Sequence, residues 1–561
     1  MRILELHIQN FRKIENLSIT FASGLSVIVG ENNVGKTAII DALRLILFSS
    51  RDFDSPRLSE DDFNKQNAPA PIELYCVFTD LTADEEVHFH ECLVDIGGGK
   101  FNARFNIRAE FNPATNRVNV KSWGGETEGG TLPSNLYDKI TSIYLQPLRN
   151  PESGLKPGRY SQIARLVDSL TDPDKQQDFE TIASKANKDI KKLPSIISAK
   201  NNIDTQMKSI AGPEMAQETD LVLSDPTFSR IISGLNTEVD GLPTSLNGLG
   251  YNNLIFTATT LGTLRSSDQF AFRSILVEEP EAHLHPQLQT LLLQHLAKVA
   301  SLTDDNPVQI ITSTHSPILA SQAPLDSIIS IHESDKGTKS VSIANIEIDP
   351  KIKKKLERFL DATRAELFFA KRIIMVEGIA EAILLPVLTK IVGGNLKESA
   401  VTIINADGIN FNAFIPLFGE NKLECPTVII TDGDDKKDTG TSSAAAQALV
   451  KTAENIDNLS IQLSKITFEH ELALSEKLLP HMLEAYIKIH PNKGPNLKTE
   501  INDLKNQTAK ANHFLSAFID GNTSKGIFAQ EVAEILSENK IETDAIPSYI
   551  TNTLKTLSVI E

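Results

Sequence analysis

GENNVGKT, at residues 30–37, follows the G-x-x-x-x-G-K-[ST] pattern of a phosphate-binding loop without a mismatch. Residues 25–29, LSVIV, form a short apolar run suited to a buried strand, and residues 37–48 carry apolar side chains at helical spacing. A glycine loop between strand and helix presents successive N–H groups to a phosphate. Lys36 adds a positive charge, and the Thr37 hydroxyl can reach Mg²⁺. We therefore expect the loop to bind a nucleoside triphosphate; the alternative is a glycine turn that opens an ordinary helix.

The bulk composition sets broad limits on what the chain does. Its 561 residues predict about three or four domains, and its 40% hydrophobic and 23% charged fractions are ordinary for a folded protein. No apolar run approaches the roughly 18 residues of a membrane span. The three cysteines are far apart, which argues against a disulfide framework. We expect a cytoplasmic protein without a membrane partner. Its net charge of −18 permits a local basic groove for nucleic acid.

The opening of the chain extends the nucleotide site. Residues 8–13, IQNFRK, closely precede the loop and resemble the opening of RecF-, SMC- and ABC-type ATPases. In those families the basic residue of this opening lies near the nucleotide, which makes Arg12 a candidate; a surface arginine at a strand end is the alternative. The predicted ATP-binding residues are Arg12, Asn32, Asn33, Gly35, Lys36 and Thr37.

A later stretch supplies the carboxylates that ATP hydrolysis needs. Residues 274–279, SILVEE, form an apolar strand that ends in two glutamates. Glu278 would hold Mg²⁺ through water, together with Thr37, and Glu279 would polarise the attacking water. The longer run EEPEAHLHP, residues 278–286, closely resembles the Walker B motif and D-loop of ABC-type ATPases.

Two further stretches match the same ATPase group in order. Residues 309–317, QIITSTHSP, resemble the switch region of ABC-type heads, where the histidine contacts the γ-phosphate. This assigns a catalytic role to His315, although a lone histidine is more often structural. Residues 245–253, SLNGLGYNN, stand where an ABC signature loop is expected but lack the usual LSGGQ.

A second set of acids follows strands in the C-terminal part of the chain. In residues 376–381, VEGIAE, one glutamate ends a strand and another lies four residues later, at the start of a helix. Residues 431–434, TDGD, end another apolar strand, and their two aspartates would point to one side if the backbone stayed extended. The candidate ligands are Glu377, Glu381, Asp432 and Asp434. Convergent carboxylates repel one another without cations, so the pattern predicts Mg²⁺ or Mn²⁺; solvated loop acids are the alternative.

The arrangement of these acids identifies a family. A glutamate at one strand end and D-x-D at another is the pattern of the TOPRIM domain of topoisomerases, primases and some nucleases. Three more stretches extend the likeness: FFA at 368–370, ITFEHELA at 466–473 and SKGIFA at 524–529. With them, nearly the whole chain resembles the OLD (overcoming lysogenization defect) family, in which an ABC-type ATPase is joined to a TOPRIM nuclease.

The resemblance implies two-metal phosphodiester hydrolysis. One ion would be held by Glu377, Asp432 and Asp434. The other would be held by Glu381 with Glu469 or Glu471. Lys525 would stabilise the charge on the pentacovalent phosphate. The expected cofactors are ATP and Mg²⁺, with Mn²⁺ or Ca²⁺ as alternatives at the nuclease site. Asp407 is left out of the ligand set because relatives often carry small residues in its turn.

The motifs together predict an α/β protein, with an ABC/SMC-like ATPase head that carries a helical insertion and is followed by a TOPRIM domain with a parallel-sheet core. The predicted boundaries are 1–160 and 236–350 for the two parts of the ATPase, 161–235 for the insertion, which would serve dimerisation, and 366–561 for the TOPRIM domain.

The leading hypothesis is an ATP-regulated, metal-dependent DNA endonuclease that acts in anti-phage defence or DNA processing. It would work as a homodimer or higher homo-oligomer, with DNA as its substrate, and relatives occur with helicase-like or reverse-transcriptase-linked partners. One alternative is a DNA-bound SMC/RecF-like clamp whose TOPRIM domain cleaves nothing. Another is a topoisomerase- or primase-like enzyme, although no region resembles a DNA gate with a nucleophilic tyrosine.

Overall fold

The computed structural model describes residues 1–48, 56–65, 70–129, 132, 134–146, 154–158, 161–222, 225–265, 270–301, 307–334, 337–408, 410–435 and 441–561. The described residues form two compact units. The first unit draws on residues 1, 47–54 and 133–310, and the second on 2–46, 55–132 and 311–561. Within the described ranges, no helix is both long enough and apolar enough to cross a membrane.

The strands are β1 Arg2–Phe11, β2 Ile14–Thr20, β3 Leu25–Gly30, β4 Ile72–Thr79, β5 Leu93–Gly97, β6 Lys100–Asn112, β7 Arg117–Gly124, β8 Ile140–Leu145, β9 Glu238–Val239, β10 Leu242–Pro243, β11 Phe272–Glu278, β12 Gln309–Thr314, β13 Ile328–Ser334, β14 Gly337–Ser342, β15 Arg372–Val376, β16 Val401–Asn405, β17 Thr427–Thr431 and β18 Leu459–Leu463.

The helices are α1 Lys36–Leu47, α2 Ala83–His88, α3 Gln162–Leu170, α4 Gln176–Ile190, α5 Pro194–Ala211, α6 Phe228–Ser233, α7 Leu249–Arg265, α8 Pro286–Val299, α9 Pro317–Gln322, α10 Pro350–Phe359, α11 Ile379–Ile391, α12 Ala444–Ala453, α13 Phe468–Ala473, α14 Leu479–Ile489, α15 Gly494–Asp503, α16 Gln507–Asp520, α17 Lys525–Glu538 and α18 Ser548–Thr556.

The second unit begins with an antiparallel sheet in the order β2-β1-β4-β6-β5, with β7 also paired to β6. In β4 every second residue is buried, from Ile72 to Phe78. This alternation is typical of a sheet with one face on the core and the other toward water. These strands therefore form an antiparallel lobe in which apolar and polar residues alternate along β4.

The strand ahead of the glycine loop lies in a different sheet of the same unit. Neighbouring strands there follow the order β14-β13-β3-β12. β3 pairs in parallel with β13, and all its residues are buried, as expected for a strand covered on both faces. The structure thus places the GENNVGKT loop between a buried strand and α1, which is the predicted context.

The C-terminal sheet of the second unit has the order β16-β15-β17-β18, and every pairing is parallel. Helices α11, α14, α16, α17 and α18 contribute to one hydrophobic core, in which Leu384, Phe514 and Phe528 are fully buried. Because all four strands run the same way, their carboxyl ends meet at one edge of the sheet. The prediction of an α/β fold with a parallel-sheet core in the C-terminal domain is confirmed.

A short 3₁₀ segment, Arg364–Phe369, connects α10 to this sheet. Its residues Ala365, Leu367 and Phe368 are buried. The segment packs against β3, which carries the glycine loop, and against α9, which follows His315. The connection between the two predicted domains is therefore a packed element and not a free tether.

In the first unit, β8 and β11 pair in parallel. Helices α3, α4 and α6 share a small apolar cluster around Ala164, Phe228 and Ile232. Long apolar side chains of the region remain exposed, among them Leu170, Ile182, Ile210 and Met215. The predicted boundaries of the insertion at 161 and 235 stay predictions.

Candidate functional site

The glycine loop has the backbone that its sequence requires. Gly30 has a φ of +151°, and a Cβ at this position would lie 2.2 Å from the carbonyl oxygen of Ile331, so only glycine fits. The buried Nζ of Lys36 donates hydrogen bonds to the carbonyl oxygens of Gly30 at 2.6 Å and Glu31 at 2.5 Å. The ammonium group therefore lies inside the loop, where a phosphate group would need it.

The other loop residues predicted to bind ATP line its outer side. Asn32, Asn33 and Thr37 are exposed, and Gly35 has a φ of +105°. Thr37 lies in the first turn of α1, so its hydroxyl is accessible to a ligand of the loop. This placement is compatible with the predicted Mg²⁺ role of Thr37, which stays a prediction.

Arg12 is fixed by carboxylates. It lies in the turn between β1 and β2 with a φ of +53°. Its Nε donates to Asp62 at 2.9 Å and its Nη1 to Asp41 at 2.7 Å, and Asp41 also binds Arg44 at 2.6 Å. These ion pairs hold the turn against α1, which follows the loop. Whether Arg12 contacts nucleotide stays a prediction.

The predicted hydrolytic residues of the ATPase are divided between the units. In the first unit, Glu278 is the buried last residue of β11 and accepts a hydrogen bond from the Tyr144 hydroxyl at 3.0 Å. Glu279 follows in a left-handed conformation with a φ of +45°. In the second unit, His315 follows the end of β12 and is half-buried. The catalytic roles of these residues rest on the motifs and stay predictions.

The parallel sheet brings Glu377 and Asp432 together. Glu377 follows β15 and Asp432 follows β17, which are neighbours. The Glu377 carboxylate accepts hydrogen bonds from the Thr431 hydroxyl at 2.9 Å and from the Asp432 N–H at 3.4 Å. Asp432 Oδ1 accepts from the Ser464 hydroxyl at 3.1 Å and from the Phe468 N–H at 2.8 Å. Both carboxylates are thereby oriented at the edge of the sheet.

Asp434 does not continue the extended backbone of β17. It has a φ of +55°, and its N–H donates to the carbonyl oxygen of Ile466 at 3.0 Å. A Cβ at Gly433 would lie 2.3 Å from the carbonyl oxygen of Ser464. The chain turns because the segment after β18 passes directly over the glycine. The extended geometry considered for the D-x-D pair is therefore wrong, and Asp434 stays a predicted ligand on a turn.

Three more predicted residues come from helix starts. Glu381 lies in the first turn of α11, Glu469 in the first turn of α13, and Lys525 is the first residue of α17. Lys525 Nζ lies 3.2 Å from Glu469 Oε1, and Glu469 is only 2% exposed. Within the described residues, Glu469 Oε2 has no hydrogen-bond partner. Glu471 is half-buried, and its Oε2 accepts a hydrogen bond from the Lys465 N–H at 2.9 Å.

The charges of this cluster act on one another. Burial raises the pKa of Asp432 to about 7, and the nearby charge of Glu377 adds to the rise. Burial also raises the pKa of Glu381, with the charge of Glu469 acting in the same direction. Burial lowers the pKa of Lys525, but the charges of Glu469, Asp432 and Glu381 outweigh it and leave that pKa above its ordinary value. The cluster therefore holds more negative charge than one ammonium group offsets.

The side chains of this cluster have the chemical groups that bind a divalent cation, but their present positions are too far apart to hold one. Across the described ranges, no three His, Cys, Asp or Glu side chains are close enough to hold a metal ion as they stand. Hard oxygen ligands are nevertheless the ones that Mg²⁺ and Mn²⁺ prefer. A bound cation would also satisfy the buried Glu469 oxygen and relieve the repulsion that raises the pKa values of Asp432 and Glu381. Metal binding would therefore require the carboxylates to close on the ion.

Sequence reasoning missed the residues that orient the acids. Thr431 binds Glu377, and Ser464 binds Asp432. Both stand at the carboxyl end of a strand of the parallel sheet. A polar residue directly after an apolar run is therefore the one sequence signal that could have identified them. Their contacts join separate segments of the chain, and spacing does not reveal such contacts.

Asp432→Asn should stabilise the metal-free protein in a pH-dependent way. With a folded pKa of about 7 against an ordinary 3.8, the folded state keeps a proton that the unfolded chain has already lost between about pH 4 and pH 7. The stability due to this proton is complete below about pH 4 and is lost as the pH rises through about 7. At pH 8 the variant should gain about 1–3 kcal/mol, and much less at pH 4.5.

Urea unfolding in EDTA, repeated from pH 4.5 to 8.5, measures this gain. Asp407→Asn is the matched control, because Asp407 also follows a strand of this sheet but is 75% exposed. A gain for Asp432→Asn that is the same at every pH would contradict the expectation.

Comparison with known proteins agrees with the two groups of motifs. Residues 368–434 match the family model of the overcoming lysogenization defect protein-like TOPRIM domain. Residues 134–320 match an AAA ATPase domain, and residues 5–211 an AAA domain. The chain therefore joins an AAA ATPase domain to an OLD-like TOPRIM domain.

Similarity also extends over most of the chain to named nucleases. The OLD nuclease of Thermus scotoductus is 25% identical over 462 residues, which are 76% of this chain and 81% of that protein. Endonuclease GajA of Bacillus cereus strain VD045 is 22% identical over 460 residues, 78% of this chain and 76% of that protein. The solved C-terminal region of the Xanthomonas campestris OLD protein aligns at a TM-score of 0.27 and 22% identity, covering 34% of this chain and 95% of that one. In sequence, this chain is therefore similar to an OLD nuclease and to a GajA endonuclease over 76–78% of its length.

Proposed function

We propose that the protein is an ATP-regulated DNA endonuclease that depends on Mg²⁺ or Mn²⁺ and hydrolyses phosphodiester bonds in its TOPRIM domain. The observation that carries the proposal is the partly buried carboxylate cluster at one edge of the parallel sheet, in which Glu381 and Glu469 are fully buried. Glu377 and Asp432 are hydrogen-bonded there, and Lys525 pairs with Glu469. The names of the relatives, an endonuclease and a nuclease, support the same class of reaction.

Divalent cations, when bound, would activate water and neutralise the leaving oxygen. Glu377, Asp432 and Asp434 are proposed to hold one ion. Glu381 with Glu469 or Glu471 is proposed to hold the second. Thr431 and Ser464 keep the first two carboxylates oriented, and Lys525 reaches solvent with 51% of its side chain exposed. From that position its ammonium group would meet the scissile phosphate and stabilise the charge that develops there.

The glycine loop is proposed to bind ATP with Mg²⁺, and Glu278, Glu279 and His315 to complete its hydrolysis. Matches to AAA domains support nucleotide use. On binding ATP, Lys36 would exchange its two carbonyl acceptors for phosphate oxygens, and Thr37 would ligate the ion. Arg12, Asn32, Asn33 and Gly35 are the other proposed contacts.

Regulation of the nuclease by ATP is supported by contacts inside the second unit. Glu31 belongs to the glycine loop, and its carboxylate lies 3.3 Å from Nζ of Lys371, the residue directly before β15. β15 in turn leads to Glu377. The 3₁₀ segment Arg364–Phe369 packs against both β3 and α9. Movement of the loop on nucleotide binding would therefore reach the strand that carries a proposed metal ligand.

We further propose that the protein acts on DNA as a homodimer in the cytoplasm, in anti-phage defence or DNA processing. The exposed apolar side chains of α3 to α5 support association through the helical region. The acidic overall charge requires that DNA contact a local surface.

Cleavage of supercoiled plasmid tests the proposal. Wild-type protein with Mg²⁺ or Mn²⁺ should nick or linearise the plasmid, and Glu377→Gln should lose at least about 100-fold of that rate because a carboxylate ligand is gone. Asp407→Asn, an exposed acid after the neighbouring strand, should cut like wild type. Parallel reactions with and without ATP give the sign of regulation. Equal cutting by wild type and Glu377→Gln would remove the TOPRIM site from the reaction.

A DNA clamp with a non-cleaving TOPRIM domain is the second candidate. The observation that favours it is the lack, within the described ranges, of three acids already placed to hold a metal ion. If the purified protein retains plasmid in an ATP-dependent manner but cuts it under none of these conditions, the clamp replaces the endonuclease.

A further inference from the structure

Tyr549 carries a polar group that neither the ATPase nor the proposed nuclease chemistry uses. It lies at the start of α18 and is 6% exposed. Its hydroxyl group is buried and, among the described residues, has no hydrogen-bond partner. A buried hydroxyl without a partner destabilises the folded state, because the group gives up its bonds to water and gains none in return.

A second buried tyrosine of the same core has a hydroxyl group with a hydrogen-bond partner, as is usual for buried tyrosines. Tyr486, in α14, is 2% exposed, and its hydroxyl donates to the carbonyl oxygen of Ala517 at 3.0 Å. Both tyrosines belong to the hydrophobic core of the C-terminal domain. The missing partner of Tyr549 is therefore a feature of its position and not of the core as a whole.

Tyr549 belongs to the same hydrophobic core as Phe468, the residue directly before Glu469. α18 packs against β18, the strand that leads to Ser464 and on to the segment with Glu469 and Glu471. Burial raises the pKa of Tyr549 well above its ordinary value, and the charges of Glu471, Asp432, Glu381 and Glu469 all add to the rise. Four of the six proposed metal ligands thus act on this one hydroxyl group, with Glu471 acting most strongly.

The cluster also contains an acceptor that lacks a donor. Glu469 Oε2 is buried and has no hydrogen bond within the described residues. An unsatisfied donor and an unsatisfied acceptor in one buried cluster would be satisfied by a rearrangement of its carboxylates. Cation binding requires such a rearrangement, because the acids do not stand within reach of a common ion.

We propose that Tyr549 is a positioning residue of the TOPRIM metal centre, whose hydroxyl donates a hydrogen bond to a carboxylate of this cluster once a divalent cation is bound. Carboxylates that bind metals are themselves held by hydrogen bonds from neighbouring groups, and losing such a neighbour weakens metal binding. The inference rests on the proposed function, since it needs the centre to bind a cation. It adds a residue that lies 78 positions beyond Glu471, the last acid of the quoted motifs.

The substitution Tyr549→Phe should have different effects on the metal-free and the metal-bound protein. Without metal it removes only an unsatisfied hydroxyl, so the thermal unfolding midpoint in EDTA should stay the same or rise by about 1–3 °C. With metal it removes a hydrogen bond, so affinity for Mn²⁺ should fall about 10-fold. A residue that merely fills the core would not change stability and affinity in opposite directions.

Calorimetric titration of the nucleotide-free full chain with Mn²⁺ measures the affinity. Tyr486→Phe is the matched control: it removes a satisfied hydroxyl from the same core, so its unfolding midpoint should fall while its Mn²⁺ affinity matches wild type. Glu381→Gln, which removes a proposed ligand, identifies the heat that belongs to this centre.

Unchanged Mn²⁺ affinity in Tyr549→Phe, with wild-type binding that is lost in Glu381→Gln, would overturn the inference and leave the proposed centre intact. A wild-type protein that binds no Mn²⁺ would overturn both. A fall in the metal-free unfolding midpoint of Tyr549→Phe would also count against it, because the hydroxyl would then have a partner before metal binds.

Discussion

Lys525→Ala is expected to reduce plasmid cleavage by about 100-fold or more while ATP hydrolysis stays at the wild-type rate. The lysine begins α17 at the edge of the carboxylate cluster, 3.2 Å from Glu469, with half of its side chain open to solvent. Its ammonium group is a positive charge beside the cluster that an incoming phosphate can meet. Alanine leaves the metal ligands in place but removes that charge, so the loss should fall on the chemical step.

Single-turnover cleavage at saturating protein, with Mg²⁺, measures this step directly. Lys477→Ala is the matched control, since Lys477 belongs to the same domain and pairs with the exposed Asp544 at 2.6 Å. Lys525→Arg should recover part of the rate because it restores the charge with a different shape. Undiminished cutting by folded Lys525→Ala would show that the catalytic lysine lies elsewhere.

Lys36→Ala is expected to abolish measurable ATP turnover, a loss of about 100-fold or more, while Mn²⁺ affinity at the TOPRIM centre is unchanged. Its Nζ is buried in the glycine loop and binds the carbonyl oxygens of Gly30 and Glu31. Water admitted by alanine can satisfy these carbonyls, but it cannot replace the charge on the β- and γ-phosphates.

Release of inorganic phosphate, with DNA present and absent, measures the turnover. Lys100→Ala, at the exposed start of β6, should hydrolyse ATP like wild type. Retained ATP turnover in Lys36→Ala would show that the glycine loop is not the site of ATP hydrolysis. A lowered Mn²⁺ affinity would indicate that the variant disturbs the whole second unit.

Local patterns predicted those features that depend on neighbours in sequence. The apolar run of β3, the glycine loop and α1 follow one another along the chain, and so do β15, Glu377 and α11. The convergence of Glu377 and Asp432 was also predictable, because parallel strands place their carboxyl ends at one edge. The assignment of each acid to an ion remains a prediction.

Contacts between distant segments escaped the sequence. The turn at Asp434 exists because the loop after β18 crosses over Gly433. The sequence TDGD contains no information about the position of that loop. Tyr549 looks like any core aromatic until α18 is placed beside β18. The grouping of residues 133–310 into one compact unit, apart from the glycine loop, likewise depends on tertiary packing and not on periodicity.

The packed 3₁₀ segment Arg364–Phe369 bears on how the two enzymatic halves can be separated. Cutting the chain after this segment would separate Leu367 and Phe368 from the TOPRIM half. They would then form an apolar C-terminal extension of the other half. Cutting before it would uncover the surfaces of β3 and α9 that the segment now covers. Either cut therefore exposes apolar surface that is covered in the intact chain. A chimaera of two related proteins should therefore take β3, α9 and residues 364–369 from the same parent, because only then are both contact surfaces preserved.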